Sequence, residues 1–170
     1  IPTLVMGIEW LHYPHKGNFD PGDYISLSNI TKIQQSNNNM YFACWVGGID
    51  ILKPNEEWER IDYRNTLLAK YNDGIKDLAV NNDTIYAATN HGLLIVTDKD
   101  TIIINGQNSE LNDSILTHLT IDKLSNIWFT TNMMTTLPQL IKYDGNELQR
   151  YSPNKEQFPK RIQSFLTTDK

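Results

Sequence analysis

Ile75-Lys76-Asp77-Leu78-Ala79-Val80-Asn81-Asn82-Asp83-Thr84-Ile85-Tyr86-Ala87-Ala88-Thr89-Asn90-His91-Gly92-Leu93-Leu94-Ile95-Val96 is one copy of a unit that recurs along the chain. Three short runs rich in Ile, Val, Leu and Ala are broken first by Asn81-Asn82-Asp83 and then by His91-Gly92. β-Branched and aromatic residues in runs of this length, punctuated by Asn, Asp and Gly, are strand and hairpin chemistry. Asn and Asp tolerate left-handed backbone at a hairpin tip. The 3.6-residue apolar period of a helix is hard to find anywhere in the chain.

Outward from this stretch the same unit recurs. Before it come Ile30-Thr31-Lys32-Ile33, Ser36-Asn37-Asn38-Asn39, Met40-Tyr41-Phe42-Ala43-Cys44 and Gly47-Gly48-Ile49-Asp50-Ile51-Leu52. After it come Ile115-Leu116-Thr117-His118-Leu119-Thr120-Ile121, Asp122-Lys123-Leu124-Ser125-Asn126, Ile127-Trp128-Phe129-Thr130-Thr131 and Gln139-Leu140-Ile141-Lys142-Tyr143. Tyr41, Tyr86 and Trp128 take equivalent places, 45 and 42 residues apart. A period of about 40–50 residues is that of propeller blades, each a four-stranded antiparallel sheet.

The expected fold is therefore all-β, a β-propeller built of four-stranded antiparallel blades, about four blades' worth. In each unit an alternating inner strand (residues 74–80) lines the channel, and a second strand (85–89) is buried between blades. A turn at Gly48 or Gly92 leads to a third strand (93–96). The fourth strand (57–61, 100–105, 147–151) is outermost and more polar. Residues 1–170 form one propeller region: 1–28 the end of a blade, 29–71, 72–112 and 113–158 blades, and 159–170 the inner strand of the next or closing blade. Met6-Gly7-Ile8-Glu9-Trp10-Leu11 matches the Gly92 segment, and residues 162–170 resemble residues 115–123. Both ends thus fall within a blade, which predicts a slice of a larger ring. The alternatives are a closed four-bladed ring and two halves pairing as a homodimer to complete eight blades.

Composition narrows the partners. The net charge is −5, with 15 Lys and Arg scattered among 20 acids, whereas a nucleic-acid binder carries a basic patch or stripe. Cys44 is the only cysteine, so there is no intrachain disulfide framework and no cysteine zinc site. No apolar run approaches the length of a membrane span. The metalloprotease, P-loop, nucleophile-elbow and dinucleotide motifs are absent. Asp20, Asp23, Asp98 and Asp100 form close pairs without the calcium-loop pattern. No catalytic residue, metal or cofactor is assigned.

Weak binding candidates remain. Trp10, His12 and His15 cluster around Tyr13-Pro14, where Trp10 and His12 share a strand face suited to stacking a carbohydrate or to a weak metal site. Packing of a blade edge is the plainer account. His91 sits in a turn, where solvation or a backbone bond is the simpler role, and His118 is isolated. Met133 and Met134, with Leu137, stand in an apolar loop (132–139) where a tight turn would be expected. Loops on rigid rims often carry binding, and Met adapts to partners, although packing on the next blade is the plainer role here too. Trp45 reads as inter-blade packing and Trp58 as an outer-strand aromatic.

At these residues the sequence resembles the two-component regulator propeller repeat. That repeat joins an inner strand ending in Asp, a Gly or Asn turn, an Ile-Trp-Ile-Gly-Thr-like strand and a Gly-Gly-Leu turn. Asp122-Lys123-Leu124-Ser125-Asn126-Ile127-Trp128-Phe129-Thr130-Thr131 is the best match; Thr89-Asn90-His91-Gly92-Leu93 and Gly47-Gly48-Ile49 carry the following turn. Cys44 in place of Thr and the longer 132–139 loop depart from it. The resemblance implies a non-enzymatic sensing or interaction module, in the periplasm or at the cell surface, of the kind found in hybrid two-component systems of Bacteroidetes. Its partner would be a protein, a small molecule or a glycan. A propeller lyase or hydrolase, and a structural part of a secretion or surface assembly, are the alternatives.

Overall fold

The structure, a computed structural model, describes residues 29–45, 48–62, 74–111, 115–131 and 139–151, and every regular element among them is a β-strand. The first sheet comprises β1 (Ile30–Ser36), β2 (Asn39–Cys44), β3 (Gly48–Leu52) and β4 (Trp58–Asp62). The second holds β5 (Asp77–Asn81), β6 (Thr84–Ala88), β7 (Leu93–Val96) and β8 (Thr101–Ile104). The third holds β9 (Leu116–Ile121), β10 (Ile127–Thr131), β11 (Leu140–Tyr143) and β12 (Leu148–Tyr151). Each is an antiparallel meander of four consecutive strands, the blade of a propeller.

Turn chemistry sets each meander. Asn37 and Asn38 have φ of 47° and 62°, and Asn82 and Asp83 have 47° and 65°. Two successive left-handed residues make the turn whose twist matches that of the flanking strands. The third blade replaces this with a wider turn at residues 122–126. There the Asp122 carboxylate accepts hydrogen bonds from the Leu124 and Asn126 N–H groups, from Asn126 Nδ2 and from the Trp128 indole (Nε1 to Oδ2, 2.8 Å). Desolvation pushes this carboxyl up, but the bonds from Trp128, Asn126 and Leu124 together prevail and hold it at about 2. The Asp-to-Trp spacing of the third repeat is thus a local staple. Gly92 is required by sterics: its φ is +134°, and a Cβ there would lie 2.2 Å from the Ile104 carbonyl oxygen.

The core lies in two seams between blades. In the first, Tyr41, Ile49 and Ile51 of the first blade meet Leu78, Val80, Ile85 and Leu94 of the second. In the second, Ala88, Leu93 and Ile95 meet Leu116, Leu119, Phe129 and Ile141. The middle blade is therefore buried on both faces. β5 loses the alternation expected of an inner strand, with four consecutive buried residues, and β7 is buried throughout. The inner strand also begins later than expected. Residues 74–76 make the crossing between blades, where the Ile75 N–H donates to the Cys44 carbonyl (3.2 Å). β8 departs from a polar outer strand: Ile103 is buried in the first seam while Ile102 is exposed. Trp58 is an outer-strand aromatic, packed at a 40° tilt against Phe42 with ring centroids 5.5 Å apart.

Candidate functional site

Register places three ionisable side chains at one level of the inner strands. Gln34 faces Tyr41, Ala79 faces Tyr86 and Thr120 faces Trp128. Two residues earlier on each strand stand Lys32, Asp77 and His118. Lys32 Nζ lies 3.4 Å from Asp77 Oδ1 across the first seam. Asp77 Oδ1 also accepts the Leu78 N–H (2.9 Å), and Oδ2 accepts the Leu119 N–H (2.9 Å) across the second seam. One carboxylate thereby joins three blades. His118 Nδ1 lies 3.0 Å from Thr117 Oγ1 and 3.4 Å from Thr130 Oγ1, and these hydroxyls are 2.9 Å apart.

The first seam opens onto the rim that carries the β2–β3 turns. Thr31 Oγ1 donates to the Ile75 carbonyl (2.8 Å), and the Trp45 N–H donates to the Asn29 carbonyl (2.8 Å). Gly74 passes so close that a Cβ on it would sit 1.4 Å from the Trp45 carbonyl oxygen. The backbones of the two blades therefore touch directly beside Trp45. The Trp45 side chain does not fill the seam as expected. Its residue is 40% exposed, and the Lys76 ammonium lies 5.9 Å from the ring centroid, within cation–π range. The Asp77 side chain is 13% exposed and that of Lys32 43%. The carboxylate is a support sunk in the seam, while the ammonium reaches water.

The opposite rim is tied tip to tip. Asn37 Nδ2 donates to Asp83 Oδ1 (2.9 Å), Asn81 Nδ2 to Ser125 Oγ (2.9 Å) and Gln34 Nε2 to the Val80 carbonyl (3.3 Å). Asn37, Asn81 and Gln34 thus spend their side-chain amides on blade-to-blade bonds.

Of the residues nominated from sequence, His91 is half-buried in the β6–β7 turn. Its N–H donates to Thr89 Oγ1 (3.0 Å), which in turn donates to the Gly92 carbonyl (2.8 Å). It stands on the Trp45 rim, outside the Lys32–Asp77 seam. Trp10, His12, His15, Met133 and Met134 lie outside the described residues. His118, isolated in sequence, belongs to the inner-strand row. Lys32, Asp77 and Lys76 were not nominated, yet a signal existed: the 45-residue offset that relates Tyr41 to Tyr86 also relates Lys32 to Asp77. Among the described residues, no group of three or more His, Cys, Asp or Glu is placed to hold a metal ion. No helix among them is long and apolar enough to cross a membrane.

Solved structures share this fold. The extracellular domain of the hybrid two-component system BT3049 of B. thetaiotaomicron superposes with a TM-score of 0.56 at 16% identity, over 74% of this chain and 17% of that one. The extracellular domain of the one-component system BT4673 of the same organism gives 0.55 at 14% identity, over 73% and 17%. PorZ, an essential surface component of the type-IX secretion system of Porphyromonas gingivalis, gives 0.56 at 15% identity, over 74% and 20%. The chain thus spans a fifth or less of the length of these structures. No family model and no curated protein matches it. The neighbours agree with the resemblance carried by the repeat motifs, and what they share with this chain is the propeller fold.

Proposed function

We propose that the chain is part of an extracytoplasmic propeller, periplasmic or at the cell surface, that senses or holds a partner at the Trp45 rim without transforming it. One observation carries this reading: an exposed indole and two ammonium groups stand on a seam whose backbone is fixed by Thr31, Gly74 and Asp77. Recognition favours groups preorganised on rigid elements. Asp77 is occupied by two backbone N–H groups and Lys32, the situation of a support rather than of a general base. The extracellular signalling domains among the structural neighbours support a sensory role. The occupant would be a small molecule, a glycan or a protein, a second copy of the chain included. PorZ supports a second reading, a structural part of a surface secretion assembly.

The test is an amide NMR spectrum of the isotope-labelled chain against a library of metabolites, oligosaccharides and peptides. Shifts gathered at residues 29–32, 45 and 74–77, with the ligand recovered intact, are expected. Shifts confined to the opposite rim would contradict the binding face, and consumption of the ligand would favour a propeller lyase or hydrolase.

A further inference from the structure

We infer that β8, the outer strand of the middle blade, is an edge that pairs with β8 of a second copy of this chain, and that Asn108 holds this edge shut. Register defines the edge. The Thr97 N–H donates to the Asp100 carbonyl (2.9 Å), so Ile95 with Ile102 and Leu93 with Ile104 are the hydrogen-bonded pairs between β7 and β8. Thr101, Ile103 and Asn105 therefore turn their backbone N–H and C=O groups out of the sheet. Such an edge is a template for another strand, and charge is one guard against it. β4 carries Glu59, Arg60 and Asp62, and β12 carries Arg150. β8 reads Thr101-Ile102-Ile103-Ile104, without a charge, and its Ile102 is 43% exposed.

Side-chain caps take the place of charge on β8. Asn108 Nδ2 donates to the Ile103 carbonyl (2.6 Å), and Asn108 Oδ1 accepts the Asn105 N–H (2.9 Å). One amide thus occupies a carbonyl and the N–H two residues on, as one residue of an added parallel strand would. Asp100 Oδ1 accepts the Thr101 N–H (2.8 Å) at the other end. The loop holds Asn108 in place: the Asn105 carbonyl accepts the Ser109 N–H (3.0 Å) and the Ser109 hydroxyl (2.7 Å), and Asn105 Oδ1 accepts the Gln107 N–H (2.9 Å). Once Asn108 is removed, Ile103 presents both an N–H and a C=O outward. Ile103 of a second copy satisfies both by exchanging bonds about a two-fold axis. No like charges face each other along the paired strands.

The experiment compares the wild-type chain with Asn108→Ser, whose hydroxyl is too short to bridge both backbone groups, and with Asn108→Ala. Mass is read by light scattering, and exchange of the Ile103 amide by NMR, as concentration rises to about 1 mM, the range of weak association. Both variants are expected to double in mass and to slow Ile103 exchange by about tenfold or more, with amide signals of β9 to β12 unchanged as the check on folding. Adding Ile102→Lys, which gives β8 a charge like that of its counterparts, should reverse both effects. Folded variants that keep the wild-type mass would overturn the edge. A mass that doubles while Ile103 still exchanges fast would also overturn it, because the copies would then meet elsewhere, at a blade face. Wild-type chain that already protects Ile103 as concentration rises would overturn the role of Asn108. None of these outcomes bears on the Trp45 rim.

Discussion

Asp77 is a carboxylate whose partners lie on three blades, which makes it the most informative residue to remove. In Asp77→Ala the Leu119 N–H loses its acceptor inside a closed seam and Lys32 loses its counter-charge. The expected cost is about 2–3 kcal/mol, mostly the penalty of an unsatisfied buried donor, read from the urea midpoint; a change under about 0.5 kcal/mol would show that the seam re-solvates freely. Asp122 behaves differently, because its bonds are local. Its folded carboxyl sits at about 2, below its ordinary 3.8. The stabilisation is therefore fully present above pH 3.8 and is lost as pH falls through 2. Wild-type chain should lose stability across that window relative to Asp122→Ala, and parallel acid limbs would contradict the staple. The Asp122 role was legible in the sequence as a repeat motif. That of Asp77 was marked only by the repeat offset to Lys32, since its partners on other blades, Lys32 and Leu119, are 45 and 42 residues away.

Strands and turns were the readable elements, because their signals are short-range. The left-handed pairs Asn37-Asn38 and Asn82-Asp83 occur where Asn and Asp clusters announced hairpin tips. Gly92→Ala should cost about 2 kcal/mol or more, since the new Cβ meets the Ile104 carbonyl at a positive φ; thermal unfolding measures it, and an unchanged midpoint would contradict that turn. The second-strand aromatics need a finer reading. Tyr41 is buried, whereas Tyr86 and Trp128 are half-buried, Trp128 against Tyr151 at 5.2 Å. Tyr86→Ala and Trp128→Ala should therefore each cost about 2–3 kcal/mol, at the low end for large core aromatics. Burial raises the phenols of Tyr86 and Tyr143, and the proximity of Tyr86 and Asp144 raises Tyr143 further. Stability from this seam is full below pH 10 and declines as pH rises through the raised folded values. Inner strands were harder to read. Packing on both faces erased the alternation of β5, and β1 and β9 each carry a register irregularity near the rim, between Ile30 and Lys32 on β1 and opposite Phe129–Thr131 on β9.

At the scale of the molecule, the period announced blades, but the rim site is a property of how blades meet. Lys32, Trp45, Lys76 and Asp77 are scattered over 46 positions of sequence and converge only because the inner strands dock in register. Composition says nothing of this, since counts of Lys and Asp do not tell which of them meet across a seam. That docking stitches the inner strands blade to blade and makes the rim rigid. Hydrogen exchange at the amides of Ile75, Leu116 and Leu119 tests it most directly, because each donates to a neighbouring blade: to the Cys44 and Thr89 carbonyls and to Asp77. Protection within about tenfold of that of Phe129, an in-sheet amide, is the predicted result. Exchange of all three as fast as the Asn37-Asn38 turn would mean that the blades are not joined there, and the rim site would fall with them.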